Sequence, residues 1–274
     1  TELLKFLKFN DLLNSKETVY TCLVEEAFNK AEENSTQLSE DILNMYGFSS
    51  KKVRILLNEI MRSSMLLEDN IIVGNKKNYL EIGPALGSTF ISSLYRNNDT
   101  INSATVCDLF LEEKIGKDGL RIFTENCKKH LNEDILDKVR LLNQDCFSID
   151  LSLFENKINF YFFDGPHRIE DHEKSLTYFE SIFDDEIVII IDDWNDKRVQ
   201  AGTINGLSKI DYSVAWWSYG SSSYTLCQFN EMVGLSSEIK IKDQTFGDKE
   251  RYWNGIMVLV LKKNKQKEGN NEQR

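Results

Sequence analysis

The feature that most limits how this chain of 274 residues can fold is a rhythm that begins near residue 73. Short apolar runs, NYLEIG (78–83), SATVCDLF (103–110), VRLLNQDC (139–146), INFYFFDG (158–165) and EIVIIIDD (186–193), recur along it. Helical segments such as GLRIFTENCKKHLNE and RIEDHEKSLTYFESIF lie between them. Strands that are nearly continuously apolar are buried on both faces, and their alternation with helices predicts an α/β fold with a doubly wound, mostly parallel sheet. Two later runs, YSVAWWSYG (212–220) and WNGIMVLVLKK (253–263), are predicted strands near one edge. The polar stretch 221–252 between them reads as a loop insertion over the site-bearing edge of the sheet.

Residues 1–72 read differently, as a helical N-terminal segment serving as a lid or dimerisation arm. KFLKFNDLL, TVYTCLVEEAFNKAEE, LSEDILNMY and SKKVRILLNEIMRSSMLL each repeat apolar residues at three- and four-residue steps. Gly47 is a helix stop, and Ser49 or Ser50 a cap for the helix after it. Residues 73–264 then form the main domain, and the lysine-rich 265–274 a solvated, disordered tail. The spacing over 38–66 permits a helix-turn-helix, but the charges run the other way. The chain has 33 basic and 44 acidic residues, net −11, and such a surface repels phosphate backbones. No nucleic-acid partner is expected.

Five cysteines (22, 107, 127, 146 and 227) form no C-x-x-C pair, which points to a reducing compartment without disulfides or a zinc site. No apolar run approaches the roughly 20 residues of a membrane span. The start carries no signal-peptide pattern, and the expected location is the cytoplasm, with no membrane partner.

Ligands of an open parallel sheet bind beyond the carboxyl ends of its strands. At the first such end, Tyr79 to Ser88 reads YLEIGPALGS: an apolar strand, an acidic Glu81, then a turn through Gly83, Pro84 and Gly87. Glycines there let backbone approach a nucleotide-like ligand, and the carboxylate suits a cationic amino group better than a pyrophosphate. The E-x-G-x-x-x-G run resembles the first motif of class I S-adenosylmethionine-dependent methyltransferases. The resemblance implies a Rossmann-like methyltransferase fold and a donor site. Glu81, Gly83 and Gly87 would hold the methionine portion, Asp108 the ribose, and Asp145 with Cys146 the adenine, with Pro84, Ser88 and Asp164 also among the donor-binding residues.

The next strand ends deliver Asp164, Asp192 and Asp193. Three oxygen donors from adjacent strands suit a hard divalent cation such as Mg2+, although single aspartates also cap helices. The D-G-P-H segment at 164–167 and the acidic pair after it resemble metal-dependent O-methyltransferases of macrolide sugars and, more loosely, catechol-type enzymes. The similarity spans roughly residues 75–200. It implies Mg2+, or another divalent cation, on Asp164, Asp192 and Asp193, with His167 as general base. An Asp-Asp pair stands where catechol enzymes have Asp-Asn.

The expected function is methyl transfer from S-adenosylmethionine to a hydroxyl of a small molecule, such as a sugar, a polyol or a phenol, by a monomer or homodimer. Alternatives are a metal-independent methyltransferase, a nucleic-acid-binding regulator, and a non-catalytic ligand-binding protein on the same fold. Trp194, Trp216, Trp217, Tyr219 and Trp253 are candidates for lining an acceptor pocket or covering adenine. Since Trp216 and Trp217 are adjacent in a strand, at least one of them belongs to the core. His130 is expected at the surface; His172 is expected to face solvent, with a supporting position behind the site as the alternative.

Overall fold

The structure, a computed structural model, describes residues 19–66, 72–73, 76–220 and 251–264. The predicted helix over 5–13, the bulk of the 221–252 insertion, the 265–274 tail and Cys227 lie outside the described residues. Cys107, Cys127 and Cys146 are free thiols. No described helix is long and apolar enough to cross a membrane.

Among the described residues, three helices come first: α1 (Val19–Glu32), α2 (Glu40–Leu43) and α3 (Lys51–Arg62). Ser50 caps α3, accepting a hydrogen bond from the Val53 amide. The helical run predicted to reach residue 67 stops at Arg62. Beyond it, β1 (Met65–Leu66) pairs antiparallel with β2 (Ile72–Val73). The sheet proper then alternates with helices: β3 (Lys77–Ile82), α4 (Ser88–Leu94), β4 (Ile101–Asp108), α5 (Glu112–Ile115), α6 (Gly119–His130), α7 (Glu133–Leu136) and β5 (Val139–Asn143). It continues as β6 (Ile158–Phe163), α8 (Ile169–Thr177), β7 (Phe183–Asp192), α9 (Lys197–Leu207), β8 (Tyr212–Gly220) and β9 (Ile256–Lys263).

The seven-stranded sheet has the order β5-β4-β3-β6-β7-β9-β8. Strands β5 to β7 are mutually parallel, and β9 runs antiparallel to both of its neighbours. The expected doubly wound, mostly parallel α/β sheet is therefore present. Chain order runs outward from β3 in one direction and from β6 in the other, so the topological switch lies between them. That is where a ligand crevice forms in such sheets.

Alternating side chains of each central strand feed separate cores. Phe160, Phe162, Val188 and Ile190 join one cluster, which also holds Phe28 of α1 and Leu56 of α3. Tyr161, Phe163, Ile189 and Ile191 join the other. The N-terminal helices thus cover one face of the sheet.

Buried polar ties fix their position. Asn58 of α3 donates to the Ser92 (2.7 Å) and Tyr95 (3.0 Å) carbonyls at the end of α4. Arg54, also buried, donates to the Ile42 and Leu43 carbonyls closing α2 and to Ser49 Oγ. These bonds satisfy carbonyls that helix ends leave without intrahelical partners.

On the opposite face α8 and α9 pack closely. A Cβ at Gly202 would stand 2.3 Å from the Ile169 carbonyl oxygen and 2.6 Å from His172 Cβ, so only glycine fits.

Candidate functional site

A cleft of about 450 Å³ opens beyond the carboxyl ends of β3, β4, β5, β6 and β7. Its floor is the switch point. Gly83 leaves β3 with φ +83° and donates its amide to the Cys107 carbonyl, while the Asp164 amide donates to the Ile82 carbonyl. A Cβ on Gly83 would lie 1.9 Å from the Asp164 carbonyl oxygen. The glycine is needed both for the left-handed backbone and for the approach of the two turns.

Glu81 is fully buried beneath this floor and does not line the cleft. Tyr79 OH donates to one of its oxygens at 2.6 Å and Thr89 Oγ1 to the other at 2.5 Å. Burial pushes its carboxyl up to about 7, against the pull of those two donors. Its observed work is to anchor the start of α4 to β3. Pro84, Gly87 and Ser88 also stand behind the wall rather than in it. Gly87 packs toward Ile91 and Phe123, and the Ser88 hydroxyl meets Ser49 at 3.3 Å. The same N-terminal loop sends Phe48 into the cleft, a contact that carried no motif in the sequence.

Gly83, Asp108, Asp145 and Cys146 do line the cleft. Asp108 accepts from the amides of Ala85 (3.1 Å) and Phe110 (2.8 Å), each a residue with positive φ. One carboxylate thereby holds the β3 turn and the β4 turn together. Asp145 accepts from the Phe147 amide at 2.7 Å, which starts a short 3-10 turn over Cys146–Ser148.

The third group sits at the ends of β6 and β7. Asp164, His167 and Asp193 each offer an atom, and these atoms lie within 4.8 Å of one another. His167 Nε2 is 2.6 Å from Asp193 Oδ2. That hydrogen bond raises the imidazole above its ordinary range, outweighing partial burial. Asp164 is held well above the usual carboxylate range by burial and by the Asp193 charge. Asp192 lies outside the trio but in the same wall, also raised, by burial and then by Asp164. Its Oδ1 is buried with no hydrogen-bond partner among the described residues.

Such a donor set fits a divalent cation. Carboxylates crowded in one wall repel one another and favour either protons or a metal, and the carboxylates and imidazole of the trio are donor types that such an ion takes.

Two residues ahead of β9 complete the wall, of which only Trp253 is a candidate from sequence. Trp253 lines the cleft, and Asn254 donates its Nδ2 to Asp193 Oδ1 at 2.6 Å. The Asn-Gly pair ahead of a strand signals a turn, but nothing in it indicates that the turn lands on Asp193. Of the other aromatic candidates, Trp194, Trp217 and Tyr219 are core residues, and Trp216 packs on the opposite core while its indole N–H bonds Glu25. His172, expected at the surface, is buried edge-on to Phe163 at 5.0 Å, and burial lowers it to about 4.

No protein-family model matches the chain, and no curated protein matches it. Solved structures do show likeness. An O-methyltransferase from Bacillus cereus in complex with SAH is 13% identical, with 88% of this chain and 91% of that one covered, at a TM-score of 0.46. The precorrin-6y C5,15-methyltransferase from Geobacter metallireducens is 11% identical, with 85% and 95% covered, at a TM-score of 0.48. Identity and TM-score are both low, and nothing about activity passes from these proteins to this chain.

Proposed function

We propose that this protein is an S-adenosylmethionine-dependent methyltransferase acting on a hydroxyl oxygen of a small molecule. The observation that carries the reading is a juxtaposition within one cleft. Gly83, Asp108 and Asp145, at the ends of β3, β4 and just beyond β5, face the space that also borders Asp164, His167 and Asp193. A nucleoside-type donor at the first group puts its reactive end at the second.

Asp108 is suited to accept hydrogen bonds from ribose hydroxyls, since a carboxylate has lone pairs beyond those given to Ala85 and Phe110. Asp145 and Cys146 border the adenine end, where the exposed Leu109 supplies an apolar wall. The bound donor supplies an electrophilic methyl group on sulfur.

Asp164, Asp193 and Asp192 would hold a divalent cation such as Mg2+, which supplies polarisation of the acceptor oxygen. His167 would take the hydroxyl proton. Its bond to Asp193 stabilises the imidazolium that forms, and general-base assistance of this kind contributes about 100- to 10,000-fold. Phe48 and Trp253 line the same cleft and would give the acceptor apolar contacts. A small acceptor rather than nucleic acid fits the net charge of −11.

A metal-independent reading has one observation in its favour. Both oxygens of Asp193 already accept from protein donors, so the His167–Asp193 pair forms a complete base without a cation. Methyl transfer from labelled S-adenosylmethionine to a panel of sugars, polyols and catechols, with Mg2+ and with chelator, separates the two. Activity lost on chelation supports the cation. Activity retained leaves the pair alone, and no transfer to any acceptor by a donor-binding protein contradicts the enzyme reading.

A further inference from the structure

We infer that Asn254 is a positioning residue for Asp193 and, through Asp193, for His167; the inference deepens the methyltransferase reading and rests on it for its catalytic meaning. The Asp193 carboxylate is gripped from opposite sides by side chains of different elements. Asn254, from the turn leading into β9, donates to Oδ1 at 2.6 Å, and His167, from the loop after β6, meets Oδ2 at 2.6 Å. With both oxygens engaged, the carboxylate plane has no rotation left, and the imidazole edge that faces it is fixed.

The backbone beneath is built to hold this arrangement. Asp193 and Trp253 both occupy left-handed backbone conformations, φ 54° and 56°, which side-chain-bearing residues rarely adopt. Such conformations persist only where surrounding bonds over-determine them, and they concentrate at functional sites. Here the Trp194 amide donates to the Gly255 carbonyl (3.1 Å) and the Asn195 amide to the Asn254 carbonyl (2.9 Å). Gly255, at φ +89°, admits no side chain, because a Cβ would stand 2.5 Å from Asn195 Oδ1. The two strained turns are thus clasped face to face at the end of the β7–β9 ladder, where Asp192 pairs with Ile256.

The choice of an amide matters. An amide nitrogen donates to the carboxylate without neutralising it, so Asp193 keeps a full charge for the imidazole. A lysine or arginine there would compete with His167 for that charge. An aspartate would repel it.

The bond to Asp193 puts the neutral imidazole's proton on Nε2 and leaves Nδ1 as the lone pair for an acceptor proton. The chain has three histidines, so their imidazole nitrogen shifts can be read by NMR on the full-length protein, with His167 assigned by its loss in His167→Gln. At a pH alkaline enough to leave the ring neutral, the wild type is expected to show a single Nε2–H tautomer for His167. Asn254→Leu and Asn254→Asp are expected to lose that signature and show a mixture. Asn254→Asp keeps the shape of the residue and decides the matter if the leucine variant does not fold. An unchanged single tautomer in folded Asn254→Asp overturns the inference, since Asp193 would then hold the ring unaided. Calorimetric titration with S-adenosylmethionine is run alongside. Failure of the wild type to bind it would sink the methyltransferase reading while leaving the tautomer result intact.

Discussion

Gly83 and Asp164 meet at the switch point of the sheet so closely that a single methyl group on the glycine would sit 1.9 Å from the Asp164 carbonyl oxygen. Strand β3 and strand β6 are parallel neighbours there, and the turns that follow them form the floor of the cleft. Residues on the two sides of the cleft are therefore held in one rigid frame.

Gly83→Ala is predicted to destabilise the protein by about 2–4 kcal/mol, because left-handed backbone strain adds to a backbone clash. Gly116→Ala is the control. Gly116 also has positive φ (81°), but nothing lies within 4 Å of a Cβ there. Its cost should be that of backbone strain alone, about 1–3 kcal/mol and less than that of Gly83→Ala. Urea denaturation measures both, and equal losses would show that the clash at Gly83 relaxes.

Glu81 predicts a pH signature. Its carboxyl ionises near 7 in the folded state against an ordinary value of 4.5, so the unfolded chain releases its proton first as pH rises. The stability this group contributes is full below about pH 4.5 and falls through the window up to about pH 7, by on the order of 3 kcal/mol. Glu81→Gln should flatten the stability curve of the variant relative to wild type across that window. Parallel curves for the two proteins would contradict the assignment.

How much of this was legible beforehand follows from where the physical signal lies. Continuous apolar runs made β3, β6 and β7 plain, and their acidic ends located Asp164, Asp192 and Asp193. Helix α9 left little trace, since Gly202 and Gly206 stand where a stripe of large apolar residues would otherwise mark a buried face. The end of α3 at Arg62 was hidden by apolar residues that continue past it into a strand pair. Glu81 and His172 are polar residues buried by the packing of strands and helices around them, which no local pattern marks. Asn254 reaches Asp193 across 61 positions. Periodicity reports local burial. It does not report which far residue completes a pair.

Arg54 tests the packing of the N-terminal helices on one another. Its guanidinium, pushed down to about 10 by burial, donates to two carbonyls of α2 and to Ser49. A lysine carries a point charge and cannot span those acceptors. Arg54→Lys is predicted to cost about 2–3 kcal/mol in urea denaturation. A loss within 0.5 kcal/mol, roughly that of a neutral surface change, would show that lysine or water replaces the fork.

Asp193 tests the acceptor end. Asp193→Asn is predicted to weaken binding of the probe ion Mn2+ by about tenfold or more, read by water-proton relaxation. Asp171→Asn, at a carboxylate in the cleft wall that pairs instead with Arg168, should change it little. Equal effects from the two would remove the cation from Asp193.

The central claim is that the cleft binds S-adenosylmethionine across the ends of β3, β4 and β5, and isothermal titration of that compound tests it most directly. The account predicts saturable, one-to-one binding to wild type, weakened about tenfold or more by Asp108→Ala through lost ribose hydrogen bonds. Folded wild-type protein that gives no binding heat at several temperatures would contradict it.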